Sequence, residues 1–258
     1  MLPVSQRVKN YFNDLYLRYQ IKWDMDMSQT IYPYDKLIEV LFDKINTIED
    51  LKKIQTIAFP SWSMNWNMDY AVPELYIKNK YSLTASLLDV RDCGILCVFY
   101  AFHILLKIVT HQNVNTVACC SIENAWLFLK YTNEIPVPDI NYVGAIIASQ
   151  EMKSEKSINI LSCDIVNHPF DVSLIMTLLL NFNVSKNLVS IYLKRHSALK
   201  KLFDSYQIIE VDYVMSSGFI YYCLSLMTQS IGASCFQYAL IIDHDTVHHA
   251  AGILFLKL

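Results

Sequence analysis

Glycine is the residue this sequence most lacks. Five occur in 258 residues, where average usage of about 7% would supply roughly 18. Enzymes that hold phosphates or oxyanions with backbone N–H groups need glycine where the chain turns tightly against the ligand. A chain this poor in it has little loop machinery of that kind. Charge is also scarce. Asp, Glu, Lys and Arg make up 17% of residues, the formal net charge is −3, and no basic run is longer than Lys194-Arg195 or Lys200-Lys201. Nucleic-acid binding through a phosphate-neutralising patch is therefore not expected. No segment reaches the roughly 18 uncharged apolar residues of a membrane span, because His103 and Lys107 interrupt the best candidate, residues 95–109. The first residues, "MLPVSQRVKNYF", have neither the basic nor the apolar region of a secretory leader. The seven cysteines are odd in number and scattered through apolar runs. They read as reduced, buried thiols of a cytoplasmic protein.

What is present is material for a core, since apolar and aromatic residues make up 53%. The length suits one large α/β domain or two small ones. Residues 34–46, "YDKLIEVLFDKIN", carry apolar side chains at helical period. "TIEDL" then reads as a capping turn through Thr47 and Asp50, ahead of a buried strand, "KIQTIAF", stopping at Pro60. Residues 61–80, with "SWSMNWNMDY", read as a loop or interface segment. "SLTASLLDV" is a second strand, and it leads into a helix that is apolar nearly all round, Ile95 to Val109. Val114 to Ile122 and Val143 to Ala148 follow as strands. A charged linker, "QEMKSEKS", precedes the second part.

That second part repeats the pattern. "CDIVNHPFDVSLIMTLLLNFN" reads as a turn into a helix, "YQIIEVDYV" as a strand and "SSGFIYYCLSLMTQS" as another all-round apolar helix. "FQYALIID" and "AAGILFLKL" read as closing strands. In each part a glycine, Gly144 or Gly252, opens the last strand. Such repetition points to an internal duplication, residues 1–150 and 151–258 forming two halves of one compact domain. A helix apolar on every side must be covered on every side. Two of them call for a sheet above and a sheet below, with amphipathic helices outside: an α/β sandwich of five αβαβα layers.

This order resembles that of the thiolase superfamily, and within it the β-ketoacyl synthase III branch. "LLDVRDCGILCVFYAFHILLK" resembles the strand-to-helix elbow that presents the family's catalytic cysteine, "TIEDLKKIQTIAFPS" the strand after its second helix, and "ALIIDHDTVHHAAGILFLKL" its closing hairpin. The likeness implies a thiolase-like fold over nearly the whole chain, with a shortened second half. It also implies where an acyl-carrying thiol should stand. Counted from Asp89, that position falls on Gly94, with Cys93 one residue early. A shift of one residue at a helix start turns the side chain by about 100°. The family's histidine, at the start of a helix in the second half, is matched by His168 in "VNHPF". Its asparagine falls on Met215, Ser216 and Ser217, and its glycine-rich loop is replaced by "DHDTVHHAAG".

The resemblance therefore implies a non-catalytic subunit, like the small chain of heterodimeric ketosynthase-III-type enzymes of the alkylquinolone synthase kind. Its expected partner is a catalytic ketosynthase III-like homologue, in a heterodimer or heterotetramer serving fatty-acyl or polyketide-type biosynthesis. Acyl carrier protein or acyl-CoA would be a further partner, with no cofactor, metal, nucleic acid or membrane. Two alternatives stand beside it. The chain is an active acyltransferase or condensing enzyme using Cys93, with His168 or His244 as base; or it is a metal-dependent hydrolase built on His244, Asp245 and His248. For that last cluster a solvated connecting loop is the plain structural expectation.

Overall fold

The structure is a computed structural model. It describes residues 34–60, 73–91, 93–112, 114–123, 142–150, 158–167, 170–195, 197–212, 218–230, 236–245 and 249–258. Helix α1, Tyr34–Ile48, forms where Ile38, Leu41, Phe42 and Ile45 recur three and four apart and are all buried. Asp50 then accepts the Lys52 N–H at 3.0 Å and starts a 3₁₀ turn at Leu51–Lys53, which leads into strand β1, Thr56–Pro60. Helix α2, Pro73–Lys80, and strand β2, Ser86–Val90, follow. Next come helix α3, Cys97–His111, and strands β3, Thr116–Glu123, and β4, Tyr142–Ser149. The second part contains β5, Asn159–Asn167, α4, Val172–Asn181, and β6, Val189–Lys194. It closes with β7, Gln207–Val211, α5, Phe219–Ser230, β8, Tyr238–Asp245, and β9, Ala250–Lys257.

Among the described residues the strands form two sheets, ordered β2-β1-β3-β4 and β5-β9-β8-β6-β7. In the first, β1 runs parallel to β2 and β3, and β4 is antiparallel to β3. In the second, β6 runs parallel to β7 and β8, and β9 is antiparallel to β8 and β5. With β5 set aside, the two orders and strand senses coincide. Neighbour by neighbour, β2-β1-β3-β4 matches β7-β6-β8-β9, which is the duplication expected from the sequence.

Period-two alternation divides each strand between two cores. In β3, Val117 and Cys119 face a central cluster, while Ala118, Cys120 and Ile122 face α1 and α2. In β8, Ala239 and Ile241 face the centre, while Leu240 and Ile242 face α4. The central cluster also takes Cys97, Phe99, Phe102 and Leu105 of α3 and Phe219, Cys223 and Met227 of α5. The layers are thus α1 and α2, the first sheet, α3 with α5, the second sheet, and α4. This is the five-layered α/β sandwich.

Three local expectations are corrected and one strand is added. Residues 73–80 are helical rather than loop: Pro73 opens the helix, Glu74 lies in its first turn, Lys78 and Lys80 in its last, and Ile77 is fully buried. "CDIVN" is strand rather than turn, pairing with β9 along its length. Strand β6 lies in a stretch that carries no clear sequence signal, although it is an interior strand of the second sheet. His244 and Asp245 close strand β8 instead of lying in a solvated loop, and Asp245 is only 4% exposed. The tryptophan-rich segment 61–70, the linker 151–157 and the Met215-Ser216-Ser217 stretch lie outside the described residues.

Candidate functional site

The parallel strands of both sheets end on the same side of the central helices as the elbow that follows β2. Arg91 anchors its approach. The guanidinium meets Asp89 at 2.6 Å and Glu74 at 3.0 Å. Glu74 is buried, and burial pushes its carboxyl above the usual range, with the Asp89 charge adding to this and Arg91 opposing it. Cys93 is half-buried, and its thiol donates to the Arg91 carbonyl at 3.2 Å, back along its own segment. Gly94–Leu96 form a 3₁₀ turn before α3 begins at Cys97. The helix therefore starts later than the apolar pattern suggested, and Cys93 precedes even the turn.

From the second half, the end of β8 reaches this elbow. Asp243 and Asp245 continue the inward-facing row of Ala239 and Ile241 and are 5% and 4% exposed. Asp245 Oδ2 accepts the backbone N–H of Ile95 at 3.3 Å. Asp243 Oδ2 meets the Lys194 ammonium at 2.6 Å, and its Oδ1 accepts the His244 N–H at 2.9 Å. Burial raises the Asp243 pKa, and the Lys194 charge works against that rise. The Lys194 ammonium also stands 5.2 Å from the centre of the Phe219 ring, at the start of α5. Cys223, one turn further along α5, has its thiol pushed up mainly by burial and further by Asp243.

The other described thiols are core. Cys97, Cys119, Cys120, Cys163 and Cys223 are buried. Burial pushes Cys119 up to about 12, and Cys120 and Cys163 well above the ordinary thiol value. They serve packing. Tyr221 of α5 donates to the Cys119 carbonyl at 3.0 Å, and the Cys163 thiol donates to the Phe99 carbonyl at 3.3 Å. His103 belongs to the same layer, its Nδ1 lying 2.6 Å from the Cys163 carbonyl oxygen.

Of the residues singled out in the sequence, Cys93 lies at the elbow and His244 next to the inward carboxylates. His168, His248 and Cys235 lie outside the described residues. The helical i, i+4 argument for His244 and His248 does not apply, because His244 belongs to a strand. His244 and Asp245 are consecutive there, so they point to opposite faces. Among the described residues no group of three or more His, Cys, Asp or Glu side chains is placed to hold a metal ion. Sequence reasoning missed Lys194, Asp243 and the inward aim of Asp245. The available signal was two aspartates two apart, continuing one face of the apolar strand "YALII".

No protein-family profile matches the chain, and no curated protein matches it in sequence. Solved structures do match in fold. The tetronic acid condensing enzyme AbyA1 superposes with a TM-score of 0.64 at 10% identity, over 87% of this chain and 86% of that one. Cerulenin-bound OleA from Xanthomonas campestris gives 0.66 at 10% identity, over 99% and 93%. ChlB3, an acyltransferase, gives 0.66 at 10% identity, over 95% and 89%. The fold is therefore that of thiolase-like condensing enzymes. No described helix is long and apolar enough to cross a membrane.

Proposed function

We propose that this chain is a condensing-enzyme scaffold without a working elbow, acting as the non-catalytic subunit of an acyltransferase or ketosynthase complex. The observation that carries the reading is the elbow itself. Gly94, not a cysteine, opens the turn; the neighbouring Cys93 thiol is bonded to the Arg91 carbonyl; and the Ile95 N–H is engaged by Asp245. A thiol nucleophile needs its sulfur aimed at substrate, beside a base, with free backbone donors for the developing oxyanion. Here one such donor is already taken and the thiol turns back on its own segment. The likeness in fold to AbyA1, OleA and ChlB3 supports a place in acyl chemistry. In this reading the partner is a homologous ketosynthase that carries the reactive cysteine, with the acyl group delivered as a thioester of coenzyme A or a carrier protein.

The test is co-expression with candidate homologous ketosynthases, followed by acyl-thioester challenge and intact mass. The expected outcome is a stable mixed complex in which only the partner gains acyl mass. A homodimer that acylates itself, with the adduct lost in Cys93→Ala, overturns the proposal. That result establishes the rival reading, an active acyltransferase using Cys93, which is favoured by the half-exposed position of this thiol where the other described thiols are buried. A metal-dependent hydrolase at His244 would instead show stoichiometric metal in elemental analysis of the purified protein.

A further inference from the structure

Burying a carboxylate among apolar residues costs several kcal/mol unless donors or a cation compensate it. The central face of β8 carries two in succession. Asp243 has the Lys194 ammonium. Asp245 is 4% exposed, belongs to the second half, and extends its Oδ2 to a backbone N–H of the first half's elbow, 150 residues away in sequence. The 3₁₀ turn that carries this N–H packs on β8. An uncharged small residue on this face would be buried without such a cost, as Ala239 is on the same strand.

We infer that Asp245 is an internal occupant of the elbow: its carboxylate fills the place where an acyl oxygen would receive the Ile95 N–H. The elbow is thus closed by the chain's own anion as well as lacking a nucleophile. The inference rests on reading this elbow as the site of an unarmed condensing-enzyme scaffold and adds the residue that closes it. Asp245 is a positioning residue, since it ties the two halves together at the point where chemistry would otherwise occur.

Two variants of the full chain test this. In Asp245→Asn the amide oxygen still accepts the Ile95 N–H but carries no charge. The Ile95 amide proton is expected to move upfield in the proton–nitrogen correlation spectrum, while amides of α1 and α4 stay in place. An unmoved Ile95 signal overturns the inference. In Asp245→Ala the vacated elbow is expected to take an external carboxylate. Sodium acetate, compared with sodium chloride at equal ionic strength, should then raise the melting temperature by about 2–4 °C. Wild type and Asp245→Asn should show no such rise. A folded Asp245→Ala without an acetate response, or a wild type that responds equally, overturns the inference. Should Asp245→Ala fail to fold, the Asp245→Asn spectrum decides. None of these measurements involves a partner or an acyl donor, so they fail or succeed independently of the co-expression test.

Discussion

Gly252 shows how one residue can set the spacing between layers. It lies near the start of β9, and a Cβ added there would stand 2.3 Å from Cγ of Phe99 and 2.6 and 2.7 Å from its two Cδ atoms. The Phe99 ring of α3 therefore rests on bare backbone, so β9 and the central helix approach more closely than any side chain would permit. Gly252→Ala is expected to cost about 1–3 kcal/mol, the usual range for overpacking a close-packed core. The readout is a lower urea midpoint at unchanged slope. Phe99→Leu in the same chain should recover part of that loss, and strict additivity of the two changes would show that Gly252 does not serve this contact. At this scale the sequence was legible for cysteines: thiols in apolar runs read as core, and Cys97, Cys119, Cys120, Cys163 and Cys223 are core. It was not legible for Asp245. The alternation of "YALII" extends to it, but the contact from the other half that engages it leaves no local signal, and the histidines around it drew attention to metal chemistry instead.

Elements were legible where hydrophobic period and pairing agreed. Helix α1, strands β1 to β4 and the two central helices follow from alternation or all-round apolarity. Strand β5 reads as a turn in the sequence because it lies at a sheet edge and most of its residues are only partly buried, which dilutes the apolar signal. Strand β6 has no glycine or proline punctuation around "NLVSIYLKRH", so no turn marked it out. Helix α2 is eight residues long, too short for a periodic signal, and is fastened to α1 by side chains. Glu39 of α1 accepts from the Tyr76 hydroxyl and meets Lys80 and Lys36, each at 2.9 Å. The Tyr76 bond is the largest cause, followed after an opposing effect of burial by the two lysines, in lowering the Glu39 carboxyl from 4.5 to about 2. A carboxyl lowered in the folded state adds stability that is present above its unfolded value and lost as pH falls through its folded value. Urea midpoints of wild type and Glu39→Gln should therefore differ most above pH 4.5 and converge between about 4.5 and about 2. A gap that stays constant over that window would remove Glu39 as the clamp between α1 and α2.

The whole molecule has one central layer shared by two sheets, and this sets how it should unfold. Ala58, Val117 and Cys119 of the first sheet and Ala239, Ile241, Leu254 and Leu256 of the second meet on α3 and α5 in one cluster. Polar ties run the same way. Tyr221 of the second half donates to Cys119 of the first, Cys163 of the second to Phe99 of the first, and Ile95 of the first to Asp245 of the second. Each half would expose the inner face of its sheet and at least two sides of its apolar helix if it stood alone. The outer clusters around α1 with α2, and around α4, are confined to one half each, so secondary structure can form locally while the central layer cannot. The full chain is accordingly expected to unfold in urea as a single transition, with far-ultraviolet circular dichroism and tyrosine near-ultraviolet absorbance coincident. Residues 1–150 and 151–258 expressed separately should be insoluble or bind hydrophobic dye as expanded states, and co-expression should restore a soluble pair. Two separated transitions, or one half that stays folded and monomeric alone, would mean that the halves are independent domains. The apolar central helices would then need some cover other than each other's sheets.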